Sequence, residues 1–300
     1  MHNDARPSMS DGHKPLFAVF KIAQNALRGS GLGRIRAFRN LRDMIYNMVR
    51  PTQEMVIAIQ NVRMVVDPNQ SGVVPDLLRD GIFERCETAL VRSLLSEGSV
   101  VVDVGSNIGY YTLIAAGIVG NSGRVYSIEP EPENYKYLEK NVTLNGFTNV
   151  VLIKKALSDR SETQHLYLNE DNTGGHHLAD MGDGAPSVTV ETITLDEYFG
   201  FAPPKVDLVK MDIEGYEPFA FRGMHSTLKA NPSARLILDY YPEMIQKAGT
   251  SPDKFLDLIL ASDFRTSLIN EVTQKVVAAT RAEILEYCQR NKYANLFCVR

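Results

Sequence analysis

The chain has 300 residues, 44% of them hydrophobic, which suffices for a sizeable core, suits one large domain with an appendage and excludes disorder throughout. Its net charge of −4 gives no global attraction to nucleic acid. Its three cysteines, Cys86, Cys288 and Cys298, are an odd number at no metal-like spacing, so neither a disulfide framework nor a zinc site is indicated and a reducing cytosol fits.

Met1 to Pro15 is polar and aperiodic and reads as a disordered tail. The apolar run Leu16 to Phe20 stops at Lys21, too short for a signal-peptide core or a membrane span, so a cytoplasmic location is expected. After the flexible stretch Gly29 to Gly33, Arg34 to Val49 predicts a basic amphipathic helix. Ile35, Phe38, Leu41, Ile45 and Met48 share one face, Arg34, Arg36, Arg39 and Arg42 occupy others, and Pro51 ends it. Residues 1 to 50 carry nine basic and three acidic side chains, against 23 and 33 in the remainder. The helix is expected to bury its apolar face on the main domain; a homodimer contact or an acidic membrane surface are the alternatives. Met55 to Gln60 and Val62 to Val66 predict a hairpin, followed by the turn cluster Asp67 to Gly72. Residues 1–80 are thus read as an extension and 81–300 as the main domain.

Glu84 to Leu95 reads as a helix leading into VVDVGSNIGYY, Val101 to Tyr111. The β-branched run Val100 to Val104 suits a buried parallel strand ending near Asp103. Gly105 permits a sharp turn, Gly109 a close approach, and the free N–H groups of the helix beginning near Tyr110 favour an anion. The dinucleotide pattern G-x-G-x-x-G is not met, because position 107 is Asn. A second strand, Arg124 to Ile128, ends at Glu129-Pro130, where a doubly wound fold places the acid that bonds ribose hydroxyls. A crossover helix follows, with Pro132 in its first turn and Asn145-Gly146 as its stop. Strand three, Val150 to Lys154, runs into Ala156-Leu157-Ser158-Asp159, and strand four, Val206 to Met211, into Asp212-Ile213-Glu214-Gly215-Tyr216-Glu217. The four strand ends predict one crevice at the sheet's carboxyl edge.

DVGSNIG, IEP, ALSD and KMDIEGYE, in this order and spacing, resemble the FkbM-type S-adenosylmethionine (SAM) methyltransferases from about Gly81 to the carboxyl terminus. The resemblance implies a Rossmann-like class I methyltransferase fold, α/β, with a seven-stranded, mostly parallel sheet, helices on both faces and an antiparallel last strand. It implies SAM as cofactor and a hydroxylated sugar or natural product as acceptor. The implied cofactor residues are Asp103, Gly105, Ser106, Asn107, Gly109 and Tyr110 in the first turn, Glu129 and Pro130 at the ribose, Ser158 and Asp159 at the adenine, and Glu84 nearby. Glu84 reads equally well as an exposed acid at a helix start.

Asn169 to Pro186 is rich in Gly, Asp and Asn, lacks periodicity and contains Gly174-Gly175-His176-His177; it reads as a lid or as a mobile insertion. Thr194 is expected to cap a helix turn with Glu197. Arg235 to Asp239, Phe264 to Ile269 and Asn295 to Val299 complete the sheet. An alcohol acceptor must lose its proton as its oxygen attacks the methyl group, so a base is needed. Asp212 is the first candidate, with Glu214 pointing the same way from an extended backbone. His176 or His177 are second candidates, reaching over from the lid. Alternatively Asp212 and Glu214 hold a Mg²⁺-like ion, or Glu214 and Glu217 merely favour the next helix. Two readings from other classes stand beside this one: an NAD-dependent oxidoreductase, and a non-catalytic SAM-binding module acting through its basic helix.

Overall fold

A computed structural model describes residues 13–26, 36–169, 172–182 and 184–300 of the chain. The polar stretch Met1 to Gly12, the link Gly29 to Gly33, Arg34 and Ile35 lie outside these residues.

The described chain begins with helices α1 (His13–Ala26) and α2 (Arg36–Val49). No helix was expected at 13–26, and the tail reading of His13 to Pro15 is corrected. Phe17 and Phe20 lie one turn apart and pack with Tyr46 of α2, which gives the segment a buried seam. The expected packing of α2 is also corrected. Leu41, Met44, Ile45 and Met48 stay 38–67% exposed, and the helix docks through Tyr46, because the aromatic partners lie on that side.

The hairpin follows as β1 (Met55–Ile59) and β2 (Val62–Val66), with Met64 and Val66 fully buried. Next come α3 (Val73–Asp80) and α4 (Arg85–Leu94). Lys21 of α1 donates to the carbonyls of Leu78 and Arg79 at 2.8 and 2.9 Å, tying the first helix to the end of α3.

The doubly wound core then runs β3 (Val100–Val104), α5 (Tyr110–Val119), β4 (Arg124–Ile128), α6 (Pro132–Leu144) and β5 (Val150–Ile153). A small separate sheet holds β6 (Ala156–Leu157), β7 (Thr163–Tyr167) and β8 (Ser187–Ile193). After α7 (Leu195–Phe199), capped as expected by Thr194 accepting from the Glu197 N–H at 2.9 Å, come β9 (Leu208–Met211), α8 (Glu217–Arg222), α9 (His225–Ala230), β10 (Arg235–Tyr240), α10 (Pro242–Lys247) and α11 (Pro252–Ala261). The chain closes with β11 (Arg265–Asn270), β12 (Lys275–Ala278), α12 (Arg281–Asn291) and β13 (Ala294–Val299).

Among the described residues the main sheet has the order β12-β11-β13-β10-β9-β3-β4-β5. Strands β5, β4, β3, β9 and β10 are parallel neighbours, and β13 runs antiparallel between β10 and β11, so the seven expected strands are present with the last one reversed. An eighth, β12, was not foreseen: all its residues are exposed, so it lacks the apolar pattern by which a buried strand is read.

Both faces of the sheet are covered. Val102, Val104, Val209 and Leu238 face one apolar cluster with α8, α11 and α12. Val101, Val125 and Leu208 face another that includes α5, α6, the hairpin and Phe17, so the described part of the first 80 residues shares a core with the main sheet. Each such side chain contributes about 1.5–3 kcal/mol by burial. Asn141 of α6 stitches this side, accepting from the Val65 N–H at 2.6 Å and donating to the Ile108 carbonyl at 2.8 Å. No described helix is long and apolar enough to cross a membrane.

Candidate active site

Strand β3 ends in a turn that Gly105 makes at φ 78°. The N–H groups of Gly105 and Ser106 both donate to the Ile128 carbonyl at 3.0 Å, which binds the turn to the end of β4. A Cβ at Gly105 would land on the Asp212 carbonyl, so glycine is required here for a strand-to-strand approach. The space it leaves is backbone space, not ligand space. Gly109, at φ 98°, makes room for the Leu138 side chain of α6.

Asp103 is buried and accepts from Thr112 Oγ1 at 2.5 Å. Thr112 and Ser127 hydroxyls meet at 2.7 Å, and Ser127 donates to Ser106 at 2.8 Å. Burial pushes the Asp103 carboxyl up, against the opposing pull of the Lys210 ammonium. Glu129 is fixed by two backbone donors: Asn107 N–H to Oε2 at 2.7 Å and Glu131 N–H to Oε1 at 2.9 Å. Burial still pushes it up to about 8.

A cavity of about 260 Å³ lies over these strand ends. Because β4, β3 and β9 are neighbours in that order, the lining acids Glu129, Asp103 and Asp212 succeed one another along one edge. Gly105, Ser106, Asn107, Tyr110, Pro130, His176 and Glu214 also line it. The loop after β7 passes over the cavity, where the Thr173 carbonyl accepts from the side-chain amides of Asn107 and Asn134 at 3.1 and 3.0 Å. The Thr173 N–H and hydroxyl in turn bond Ser71, each at 3.0 Å. Sequence reasoning missed this anchor, since Ser71 and Thr173 lie 102 residues apart.

Several predicted residues sit elsewhere. His177 does not line the cavity: it stacks on Tyr167 and its Nδ1 lies 2.7 Å from the Ala179 carbonyl. His176 does, with Nδ1 accepting from the Asn169 N–H at 3.0 Å; burial lowers its pKa, which favours the neutral ring. Ser158 is fully buried, and Asp159 turns outward to Arg222 at 2.9 Å, so the wall at that point is made by Ala156 and Leu157. Gly109 likewise serves packing behind the cavity. Glu84 is no exposed helix-start acid. It caps α4 at φ 38°, accepts from the Tyr111 hydroxyl and the Asn295 side-chain amide at 3.0 Å each, and lies behind the wall. The backbone after β9 is a turn rather than an extended segment, with Glu214 at φ 53°, so Asp212 and Glu214 do not follow a strand's alternation.

Beneath Asp212 is a buried charge cluster that the motifs did not announce. The Lys210 ammonium lies 3.4 Å from Asp212 Oδ2, 3.6 Å from Glu87 Oε1 and 4.5 Å above the Tyr111 ring. Burial pulls its pKa down, but Asp212, Glu87, Glu84 and Asp103 more than reverse this and keep it charged. Glu87 is held by Asn295 Nδ2 at 3.0 Å. Burial, then the charges of Asp212 and Glu217, push Glu214 up to about 8; burial is also the chief cause that lifts Asp239. The available sequence signal was Lys210 itself, the first residue of KMDIEGYE and the charged residue in the otherwise apolar strand LVKM. Among the described residues no group of three or more His, Cys, Asp or Glu side chains is placed to hold a metal ion, so the Mg²⁺ alternative for Asp212 and Glu214 finds no ligand set there.

Residues 103–266 match the family model described as the methyltransferase FkbM domain. The chain is 31% identical over 155 residues to the hexuronic acid methyltransferase AglP of Haloferax volcanii, covering 49% of this chain and 59% of that protein. It is 27% identical over 128 residues to protein-L-isoaspartate O-methyltransferase 1 of Archaeoglobus fulgidus, covering 40% and 56%. The match thus spans less than two thirds of the length of these curated relatives. Among solved structures, M. jannaschii TYW2 in complex with AdoMet aligns with a TM-score of 0.41 at 16% identity, over 82% of this chain and 84% of that one.

Proposed function

This chain belongs to the FkbM methyltransferase family, a SAM-dependent methyltransferase of the class I fold, and we propose that it methylates a hydroxyl oxygen on a sugar or natural-product acceptor. The observation that carries this reading is the single edge along which Glu129, Asp103 and Asp212 line one cavity.

The residues present fit SAM. Glu129 is a buried carboxyl whose orientation two backbone donors fix, leaving it able to accept from a ribose diol. Asp103 offers a carboxylate to the cofactor's ammonium, and the start of α5 offers N–H groups to its carboxylate. Ala156 and Leu157 provide an apolar wall for the adenine, with Ser158 and Asp159 behind it. Bound SAM supplies a methyl group made electrophilic by its sulfonium.

Asp212 then orients the acceptor hydroxyl and takes its proton. Neutral His176 is the second base. Glu214, with its carboxyl raised to about 8, keeps its proton at neutral pH and serves as a donor to acceptor oxygens. The named acceptor class of the relative AglP, a hexuronic acid, supports a sugar-type acceptor. The dehydrogenase reading falls with the family match.

Incubating the protein with methyl-labelled SAM and extracts of cells lacking it, then locating the label by mass spectrometry, tests the proposal. An O-methylated sugar or natural product is expected; label only on nitrogen or carbon would overturn it.

A further inference from the structure

Lys210 lines the cavity beside Asp212, yet its ammonium lacks a close partner of the usual kind. Charge-assisted N–H···O bonds run about 2.7–2.9 Å. Its nearest carboxylate oxygens stand at 3.4 and 3.6 Å, and Glu87 Oε1 has no hydrogen-bond donor of its own. Three other elements hold the lysine in place: Glu87 of α4 below it, Tyr111 of α5 under its face, and Asn295 of β13 anchoring Glu87. A buried ammonium whose hydrogen bond to Asp212 is long, at 3.4 Å, and whose residue lines the cavity next to the candidate base, is a site for an oxygen.

We propose that Lys210 is a further catalytic residue, whose ammonium holds the acceptor oxygen and stabilises the negative charge that develops on it, so that the acceptor is an oxygen nucleophile and not an amine. This rests on the hydroxyl-methylation reading and deepens it. The acceptor O–H bond breaks and its proton passes to Asp212. The oxygen's electron pair forms the new O–CH₃ bond, and the pair of the methyl–sulfur bond returns to sulfur, leaving S-adenosylhomocysteine. An ammonium beside the oxygen favours that step because the attacking oxygen becomes more negative as it loses its proton. An attacking amine becomes positive instead, which the same ammonium opposes.

The test uses methyl-labelled SAM and three probes: the methyl glycosides of a neutral hexose, of a hexuronic acid and of a 2-amino hexose. The expected result is O-methyl product, with kcat lowered about a hundredfold or more in Lys210→Met, KM for SAM not raised and partial recovery in Lys210→Arg. O-methylation at the parent rate in Lys210→Met would overturn the role of the lysine while leaving the hydroxyl reading intact. N-methyl product would overturn that reading as well. A second measurement needs no acceptor: calorimetry of SAM against its neutral product S-adenosylhomocysteine. Removing a cation at the methyl end should shift the affinity ratio toward SAM by roughly three- to tenfold in Lys210→Met. An unchanged ratio would place the ammonium away from the transferred group and end the proposal. Should Lys210→Met fail to fold, the charge-neutral double variant Lys210→Met/Glu87→Gln takes its place in the kinetic test, with the same loss of kcat expected and parent-like kcat again decisive against the lysine.

Discussion

A side chain added at Gly105 would land on the carbonyl oxygen of Asp212, so the turn at the end of β3 and the strand end that carries the candidate base are in backbone contact. That carbonyl belongs to the β9–α8 turn and cannot retreat without disturbing the ladder bond from the Asp212 N–H to the Val104 carbonyl at 3.1 Å.

Gly105→Val is therefore expected to destabilise the fold itself rather than merely fill ligand space. Its φ of 78° adds strain for any β-branched residue. Thermal unfolding should show a large fall in Tm or loss of the cooperative transition; a parent-like Tm would contradict this account.

Glu129→Ala removes a carboxyl proposed to accept from the ribose diol. A neutral hydrogen bond contributes about 0.5–1.5 kcal/mol, so losing the two from the diol should lower SAM affinity by calorimetry roughly five- to a hundredfold. A 2′-deoxy SAM analogue should lose less in the variant than in the parent. Equal losses for both ligands would reduce Glu129 to a brace for the Asn107 and Glu131 backbone.

Asp212→Asn keeps the shape of the side chain and removes its basicity. Single-turnover methyl transfer should slow about a hundredfold or more with SAM affinity nearly unchanged. A rate within a fewfold of the parent would shift the role to His176.

Glu217 offers a stability test independent of any ligand. It is fully buried, accepts from the Ile213 N–H at 2.9 Å, and burial pushes its carboxyl up to about 7. Its folded pKa therefore exceeds its unfolded one, so the folded state binds the extra proton. The stability this gives is fully present below about pH 4.5 and is lost as pH rises through about 7. Glu217→Gln stays neutral throughout, so its stability relative to the parent should rise between pH 4.5 and 7, by at most about 3 kcal/mol. Urea midpoints at the two pH values would check this; a difference that does not vary with pH would show Glu217 ionised in both states.

The amino-acid sequence by itself determined the doubly wound sheet, the order of its strand ends and the placement of Asp103, Glu129 and Asp212 along one edge. It could do so because these features are local: β-branched runs, glycines at turns, acids at strand ends and capping residues such as Thr194 declare themselves within a few positions. Tertiary structure alone decided which of two adjacent histidines faces the cavity, since Tyr167 captures His177 across an antiparallel bridge that no periodicity in this loop announces. It decided that Ser158 is sealed away while Asp159 turns to Arg222, and that Tyr46, not the apolar stripe of Leu41, Ile45 and Met48, is the face by which α2 docks. Above all it assembled Lys210, Glu87, Tyr111 and Asn295 from four elements. No spacing rule reaches such a cluster, because a buried charge is stabilised by partners that the fold brings together from separate parts of the chain, and only the folded packing shows which they are.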